Sequence, residues 1–258
     1  MRTLASFSRC DFLNHIELLA LNIKNAVPGT PRFDRVVDLL LEVAADVVVL
    51  TECGPEAFDT IGLELDATSV VYAPADFWGN GIISLHHPLV NGREVDLTTF
   101  SEHRSAAVAL VEIDEVCTVQ IVATHFEVSD ETSRLRQIEI LDQKIGIRES
   151  VIVGDLNALN RRDYDKDRLK ELVEIRHQGE KHSPRWDVLD CLLDVHDCVD
   201  AANGQPFQPT TPYASRVDYF LFGSQSGVQH MKNSYRVIDC LSNDISDHNA
   251  IVCVITAS

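Results

Sequence analysis

The sequence predicts an α/β domain in which two β-sheets pack face to face and are covered by helices. Strand-like segments occur in long runs, and helix-like segments are interspersed among them. Hydrophobic residues make up 45% of the 258 residues, which is enough for a sizeable core. No internal repeat, low-complexity linker or break in composition divides the chain, so we expect a single domain over residues 1–258.

The first quarter of the chain has the pattern of a β-α-β unit. Residues 16–23 (IELLALNI) and 45–52 (ADVVVLTE) are predicted to be buried strands. Between them, Thr30 is the expected N-cap of a helix that has Pro31 at its first position. The predicted inward face of this helix carries Phe33, Val36, Val37, Leu40 and Leu41. Such a unit normally joins two parallel strands by a right-handed crossover.

Turn signals and apolar periodicity predict the remaining elements. Further strands are expected at 68–73, 80–86, 94–99, 105–113, 116–124, 150–154, 216–222 and 249–255, with a weaker one at 235–239. Helices are expected at 131–145, 166–177 and 184–195. The first of these is capped by Ser129 or Asp130, and its predicted inward residues are Leu135, Ile138 and Leu141. The last is predicted to have Ser183 as its cap and Pro184 in its first turn.

Charge and cysteine content limit the partners and the compartment. The net charge of −18 opposes binding to bulk duplex DNA, because non-specific affinity for DNA comes largely from Lys and Arg. The same charge opposes docking on anionic membranes, and no stretch reaches the length of a membrane span. Seven cysteines without CxxC spacing suggest reduced, buried residues, so we expect a soluble protein of the cytoplasm.

The stretch SVIVGDLNALN is the most informative one for function. Its β-branched run predicts a buried strand that ends in Asp155, with Asn157 two residues later. Asp, Asn and Gly favour turns, so a plain turn is one interpretation. Residues two apart on an extended segment can also point to the same side, which would aim both groups at one site.

Other predicted strands also end in polar residues. The first strand ends in Asn22, the second in Glu52, and the strand at 116–124 is followed by His125. Asp218 lies within an otherwise apolar strand, and Asp247 and His248 precede the last one. Carboxylate and amide oxygens suit Mg²⁺ or Mn²⁺, which leaves the imidazoles for acid–base work or charge stabilisation at an oxyanion.

Each of these residues also has a structural interpretation. Asn22 could begin a turn, Glu52 could be a solvated strand end, and His125 could be a hydrogen-bonded surface histidine. Asp218 is harder to explain in this way, because a carboxylate among apolar residues should not be buried without a partner.

Taken in order, these segments resemble the endonuclease/exonuclease/phosphatase superfamily. The resemblance rests on LALNI, LTE, ATHFE, VIVGDLNAL, SRVDYFLF and SDHNAIVCVI, and it covers nearly the whole chain. It implies a four-layer α/β sandwich with two central, mainly antiparallel mixed sheets. It also implies hydrolysis of a phosphoester bond with Mg²⁺ or Mn²⁺, in which water attacks in line at phosphorus.

The resemblance further implies roles for individual residues. Glu52 would be the direct metal ligand, with Asn22 in the metal site and Asp247 adding to the metal shell. Asp155 would orient or deprotonate the attacking water, and Asn157 would position that water and the phosphate. His125 would bind a phosphate oxygen or assist the leaving group. Asp218 would hydrogen-bond His248, which would stabilise phosphoryl oxygens or act as an acid or base.

The sequence departs from the pattern of the superfamily at several neighbouring positions. Leu21 stands where Trp is frequent, and Thr51 where Gln is frequent. The Trp-Cys-Asp-Arg motif of the inositol-polyphosphate 5-phosphatases is absent, which weakens the assignment of an inositide as the substrate. Three further residues are candidates for substrate contacts, although a purely structural role is the simpler reading of both arginines: Asn80, Arg104 and Arg134.

The substrate is less constrained than the chemistry. A small phosphodiester or phosphomonoester, a nucleotide, a nucleic-acid end or a phospholipid headgroup is compatible with the charge. The segment 160–216, with Tyr164 and Tyr213, is expected to help select it. Two alternatives remain: a DNA or RNA nuclease of the same fold, and a non-catalytic scaffold. A scaffold would be expected to lack some of the polar strand ends that this chain keeps.

Overall fold

The computed structural model describes residues 15–76, 78–99, 103–114, 116–179 and 184–258. The helices are α1 (Pro31–Val43), α2 (Pro55–Glu64), α3 (Glu131–Ile145), α4 (Lys166–Gln178) and α5 (Asp187–Asp190), the last continuing as a π-helical turn over Cys191–Val195. The strands are β1 (His15–Asn22), β2 (Val47–Cys53), β3 (Ser69–Ala73), β4 (Gly79–Ser84), β5 (Leu89–Asp96), β6 (Ser105–Glu112), β7 (Thr118–His125), β8 (Ser150–Asp155), β9 (Val199–Asp200), β10 (Asp218–Phe222), β11 (Val228–His230), β12 (Arg236–Ile238) and β13 (Ala250–Ala257).

These strands form two mixed sheets. The first has the order β11-β13-β1-β2-β4-β3, with β12 also paired to β13, and the second has the order β5-β6-β7-β8-β10-β9. Each sheet contains one parallel pair, β1 with β2 and β7 with β8, and the other pairs are antiparallel. Helices α1 and α3 lie in the crossovers of the two parallel pairs, as a β-α-β unit requires.

Three apolar clusters separate four layers. One cluster lies between the sheets and contains residues from the strands of both. A second joins the outer face of the first sheet to α1 and α2, and a third joins the second sheet to α3 and α5. The predicted α/β sandwich of two packed sheets flanked by helices is therefore confirmed.

Several local predictions hold and others need correction. The side chain of Thr30 caps α1 and that of Asp130 caps α3, as expected. Leu41 is 51% exposed, and Leu39 is buried in its place, because the sheet packs on the other flank of the apolar stripe. The helix expected from residue 184 begins only at Asp187, and Ser183 lies outside the described residues.

Other elements differ in extent from the prediction or were not predicted. Strand β5 covers Leu89–Asp96 rather than 94–99, and it bulges between Val90 and Arg93. Helix α2 and the short strands β9 and β11 were not predicted. Among the described residues, no helix combines the length and the apolar character that crossing a membrane requires.

Candidate active site

The inter-sheet core becomes polar at one end of the sandwich. On six strands, a polar residue lies two positions before or after an apolar core residue, so both side chains share the inner face. The six pairs are Ala20 with Asn22, Ile82 with Asn80, Ala107 with Ser105, Ala123 with His125, Val153 with Asp155, and Phe220 with Asp218. Strand alternation thus places these polar groups in one layer between the sheets.

Glu52 reaches this layer through a β-bulge. The register between β2 and β4 shifts between Leu50 and Cys53, and Glu52 adopts a left-handed φ of 49°. Without the bulge, alternation from Leu50 would turn Glu52 to the outer face of the sheet. Such strained, non-glycine backbone is typical of functional positions.

Asp155 lies at the centre of the site and is only 1% exposed. Its Oδ2 accepts a hydrogen bond from Nδ2 of Asn22 at 3.2 Å, and its Oδ1 accepts one from the backbone N–H of Asn157 at 2.9 Å. The second bond is a turn of the kind that the sequence suggested, with Asn157 at a φ of 48°. The turn and the functional interpretation are therefore compatible.

Asn22 holds two acidic side chains together. Its Nδ2 donates to Oε1 of Glu52 at 3.0 Å as well as to Asp155, while its Oδ1 accepts the backbone N–H of Lys24 at 2.9 Å. With its oxygen occupied in this way, Asn22 orients the carboxylates from within the site.

His125 lies beside the two acids and accepts a hydrogen bond from Asn157. Nδ2 of Asn157 donates to the carbonyl of Phe126 at 3.0 Å, which fixes the amide so that it also offers an N–H to Nε2 of His125 at 2.9 Å. Nε2 is then an acceptor, 3.6 Å from Oδ2 of Asp155 and 3.8 Å from Oε1 of Glu52. Burial lowers the pKa of His125 to about 4, so the imidazole is neutral at pH 7.

His248 is protonated, in contrast to the neutral His125. Its Nδ1 is 2.9 Å from Oδ2 of Asp218, and its Nε2 is 3.7 Å from Oδ2 of Asp155. Burial opposes the charged form, but Asp218 and Asp155 outweigh it and raise the pKa of His248 to about 10. The site therefore contains one imidazolium and one neutral imidazole on either side of Asp155.

The donor set fits a hard divalent cation. Glu52, His125 and Asp155 offer ligand atoms within 4.8 Å of one another, and a second group joins Asp155, Asp218 and His248. The protonated His248 makes the second group a poor cation site, so the first is the better one. Burial raises the pKa of Glu52, and Asp155 raises it further, which a bound cation would reverse.

The remaining candidates lie around this cluster. Arg104 places Nη1 3.4 Å from Nδ1 of His125, and its charge helps to lower the pKa of that imidazole. Asn80 donates to the carbonyl of Ser105 at 2.7 Å, while its buried Oδ1 makes no hydrogen bond. Asp247 is not in either candidate ligand group and instead pairs with Lys24 at 2.8 Å.

Arg134 has a structural environment. Its guanidinium donates to the carbonyls of Glu127 and Val128 and to the carboxylate of Glu131, which ties the start of α3 to the loop after His125. The contacts of Arg134 are therefore those expected of a structural role.

Two residues of the site were not predicted. Oγ of Ser246 donates to the carbonyl of Asn22 at 2.5 Å and accepts the N–H of His248 at 3.2 Å, linking two site segments. Lys24 faces Asp247. A serine two residues before His248 and a lysine two residues after Asn22 were the available signals.

Comparison with solved structures finds the same fold in proteins of low sequence identity. An endonuclease/exonuclease/phosphatase from Bacteroides vulgatus has a TM-score of 0.71 at 16% identity, covering 95% of this chain and 99% of that one. D. rerio TDP2 complexed with a single-strand DNA product has a TM-score of 0.66 at 17% identity, covering 94% and 99%. A mannosyl-6-phosphatase from Bacteroides thetaiotaomicron has a TM-score of 0.64 at 12% identity, covering 93% and 99%.

Sequence comparison gives the family directly. No curated protein matches the chain. Residues 19–248, which include every residue of the cluster described above, match the endonuclease/exonuclease/phosphatase family. The chain therefore belongs to the endonuclease/exonuclease/phosphatase family.

Proposed function

We propose that this protein is a divalent-metal-dependent phosphoester hydrolase. The observation that carries the proposal is the arrangement around Asp155, which lies between a candidate cation position and an imidazolium. This combination suits phosphoryl transfer, whose catalysis depends mainly on positioning and on neutralising the charge of the phosphoryl oxygens.

Each residue of the cluster has a role in the proposed mechanism. Glu52 and Asp155 would hold Mg²⁺ or Mn²⁺, which would supply charge neutralisation and polarise a phosphoryl oxygen. Asp155 accepts a hydrogen bond from the attacking water, and Asn157 fixes Asp155 and His125 in place. His248 donates from Nε2 to a phosphoryl or leaving oxygen, while Asp218 keeps it protonated.

The proposed substrates are phosphoesters whose reacting group can reach the acidic cluster. TDP2 is seen with a single-strand DNA product, and the Bacteroides relative is named a mannosyl-6-phosphatase, so the fold accepts both nucleic-acid ends and small monoesters. The net charge of −18 favours a small molecule or a nucleic-acid end over bulk duplex DNA. We also infer a reducing compartment such as the cytoplasm, because Cys53, Cys198, Cys240 and Cys253 are buried as small core residues.

A panel of substrates tests the reaction class. Bis-p-nitrophenyl phosphate, p-nitrophenyl phosphate and plasmid DNA are compared with Mg²⁺, with Mn²⁺ and with EDTA. We expect metal-dependent release of p-nitrophenol and little nicking of the plasmid. Dominant nicking would favour the nuclease alternative, and inactivity towards every substrate would favour the scaffold.

Two substitutions assign the activity to this site. Asp155→Asn and His248→Gln preserve side-chain size, and we expect kcat to fall by about 10²–10⁴ in each. Asp187→Asn, at an exposed carboxylate on α5, is the control and should keep the rate of the parent. A rate like that of the parent in either site variant contradicts the proposal.

A further inference from the structure

The loop after β1 holds a lysine at the rim of the site through an unusual backbone. Lys24 and Asn25 both adopt left-handed conformations, with φ of 47° and 49°. Two consecutive non-glycine residues in this region are costly and need support from their surroundings. The support is present: Nη2 of Arg32 donates to the carbonyls of Lys24 and Asn25, at 2.7 and 3.1 Å.

The same loop is tied to the residues of the candidate cation site. The N–H of Asn25 donates to the carbonyl of Glu52 at 2.8 Å, and the N–H of Lys24 donates to Oδ1 of Asn22 at 2.9 Å. The position of Lys24 is therefore fixed by the side chain and the backbone of two site residues.

The ammonium of Lys24 meets Asp247, the residue before His248. Nζ of Lys24 lies 2.8 Å from Oδ2 of Asp247, and the two side chains are 50% and 41% exposed. Asp247 is close enough to Glu52 and His248 to act on the pKa of both. The lysine thus stands at the open side of the acidic cluster.

A half-exposed ion pair of this kind is weak. Pairs in contact with solvent contribute about 0–1 kcal/mol, so this pair does not explain why the loop accepts two left-handed residues. A weak pair is also exchangeable: a phosphate oxygen can replace the carboxylate at Nζ at little cost. A phosphate is the better partner, because it offers several charged acceptors to one ammonium.

We propose that Lys24 binds a non-bridging phosphate oxygen of the substrate and that Asp247 is a positioning residue for Lys24 and contributes no ligand to the cation. The proposal rests on the proposed function and extends it to substrate recognition. In the free protein Asp247 holds the ammonium at the edge of the acidic cluster. When the phosphoester enters, Nζ turns to the phosphate, and the loop clamped by Arg32 keeps it within reach.

Two binding measurements separate this role from that of a metal ligand. The affinity for Mn²⁺ is measured by electron paramagnetic resonance, and the affinity for inorganic phosphate is measured by calorimetry with saturating Mg²⁺. Lys24→Met keeps the apolar stem and the same backbone demand but removes the charge. We expect Kd for phosphate to rise about 10-fold or more, as for loss of a charge-assisted hydrogen bond, while affinity for Mn²⁺ stays the same or increases.

Asp247→Asn gives the discriminating result. Under the proposal it removes the carboxylate that competes with phosphate for Nζ, so Kd for phosphate stays the same or falls, and Kd for Mn²⁺ changes by less than about 3-fold. The effects of the two substitutions on phosphate should not add, because both act through one ammonium. If Asp247→Asn weakens Mn²⁺ binding by 10-fold or more, Asp247 is a ligand and the proposal is wrong.

Controls exclude a general effect of charge. Arg35→Met removes a cation of a similar exposed pair, in which Nη2 of Arg35 lies 2.8 Å from Asp244, and it should leave phosphate binding unchanged. Lys24→Arg should retain most of the affinity. If Lys24→Met matches Arg35→Met within 2-fold, the proposal is overturned. If phosphate binding depends on Lys24 while no phosphoester is hydrolysed, the proposed reaction fails but the assignment of Lys24 stands.

Discussion

Asp218 and His248 join the two sheets at the functional end of the molecule. Asp218 begins β10 of the second sheet, His248 precedes β13 of the first, and Nδ1 of His248 lies 2.9 Å from Oδ2 of Asp218. The pair sets the charge of His248 as well as its position. An imidazole that is buried alone would lose its proton, but the two aspartates around His248 keep it charged.

The first prediction concerns the titration of His248 in the metal-free protein. Its pKa, raised to about 10, should appear as an imidazolium signal in ¹⁵N NMR spectra that persists through pH 8 in EDTA. Asp218→Asn removes the nearest negative charge, so the pKa should fall towards the ordinary value of about 6.5. An imidazole that titrates near 6.5 in the parent protein would contradict this.

The same pKa makes a prediction for stability. Because the folded pKa lies above the unfolded value, the contribution of His248 is fully present below pH 6.5 and is lost as pH rises to about 10. The difference in free energy of unfolding between the parent and His248→Gln should therefore shrink across this window. Urea denaturation in EDTA at several pH values measures it. A difference that is constant, or that grows with pH, would show that the sign is wrong.

A second prediction concerns metal binding to the folded protein. Mn²⁺ should stabilise it, by about 2.7 kcal/mol at 100 times Kd, because the ion binds the assembled donor set and the unfolded chain lacks one. Glu52→Gln should abolish most of this gain without lowering the stability of the apo-protein, since burial already disfavours the charged carboxylate. Denaturant curves with and without Mn²⁺ give both values.

The control for this experiment is an acid on the adjoining helix. Glu56→Gln changes an exposed residue in the first turn of α2, so it should leave the stabilisation by Mn²⁺ intact. If Glu52→Gln and the parent gain equally, Glu52 does not hold the ion.

A third prediction concerns Gly154, which precedes Asp155. Its φ is 129°, and a Cβ there would lie 2.2 Å from the carbonyl oxygen of Thr124 in the neighbouring strand. Gly154→Ala must therefore push β7 and β8 apart beside His125 and Asp155. We expect it to destabilise the fold by more than about 3 kcal/mol and to abolish metal binding.

Gly29 provides a matched control for the third prediction. It also has a positive φ, 80°, but a Cβ there has no atom within 4 Å. Gly29→Ala should cost only the conformational strain of about 1–2 kcal/mol and leave metal binding intact. Thermal unfolding and Mn²⁺ titration compare the two variants. Equal losses would mean that backbone strain alone, rather than the clash with Thr124, explains the requirement for glycine.

The sequence predicted those site residues that depend on strand periodicity. His125, Asp155 and Asp218 follow apolar core residues by two positions or precede them by two, and that spacing alone places them on the inner face. Glu52 was identified as the polar end of a predicted strand, but its orientation depends on a bulge and a positive φ that the residues around it do not encode locally. Bulges arise from the pairing of two strands, so one strand does not reveal them.

Tertiary contacts also explain the other differences. The apolar stripe of α1 was recognised, yet tertiary packing decides which flank of the stripe is covered, and Leu39 rather than Leu41 is buried. Asp247 is adjacent to His248 in sequence, but its carboxylate turns to Lys24, which lies more than 200 residues earlier. Whether Asp247 faces the acidic cluster or Lys24 is therefore decided by the folded loop alone.

The last prediction concerns Arg216, which supports the strand that carries Asp218. Its side chain is 2% exposed and binds two carboxylates: Nε and Nη2 reach Asp163 at 2.9 and 3.0 Å, and Nη1 and Nη2 reach Asp200 at 3.0 and 2.5 Å. Arg216→Met would leave the buried Asp200 and the partly buried Asp163 without their cation. We expect the free energy of unfolding at pH 7 to fall by about 3–5 kcal/mol.

The matched control is Arg148→Met, which breaks an exposed pair between Arg148 and Asp197 at 3.0 Å and should cost less than about 1 kcal/mol. Acid should partly rescue the Arg216 variant, because burial raises the pKa of Asp163 and its protonation removes an unpaired charge. The stability difference from the parent should therefore decrease as pH falls from 7 to 4. Denaturation curves over this range measure it. Similar losses in the two variants, or a deficit that grows in acid, would mean that the buried charges are not what Arg216 stabilises.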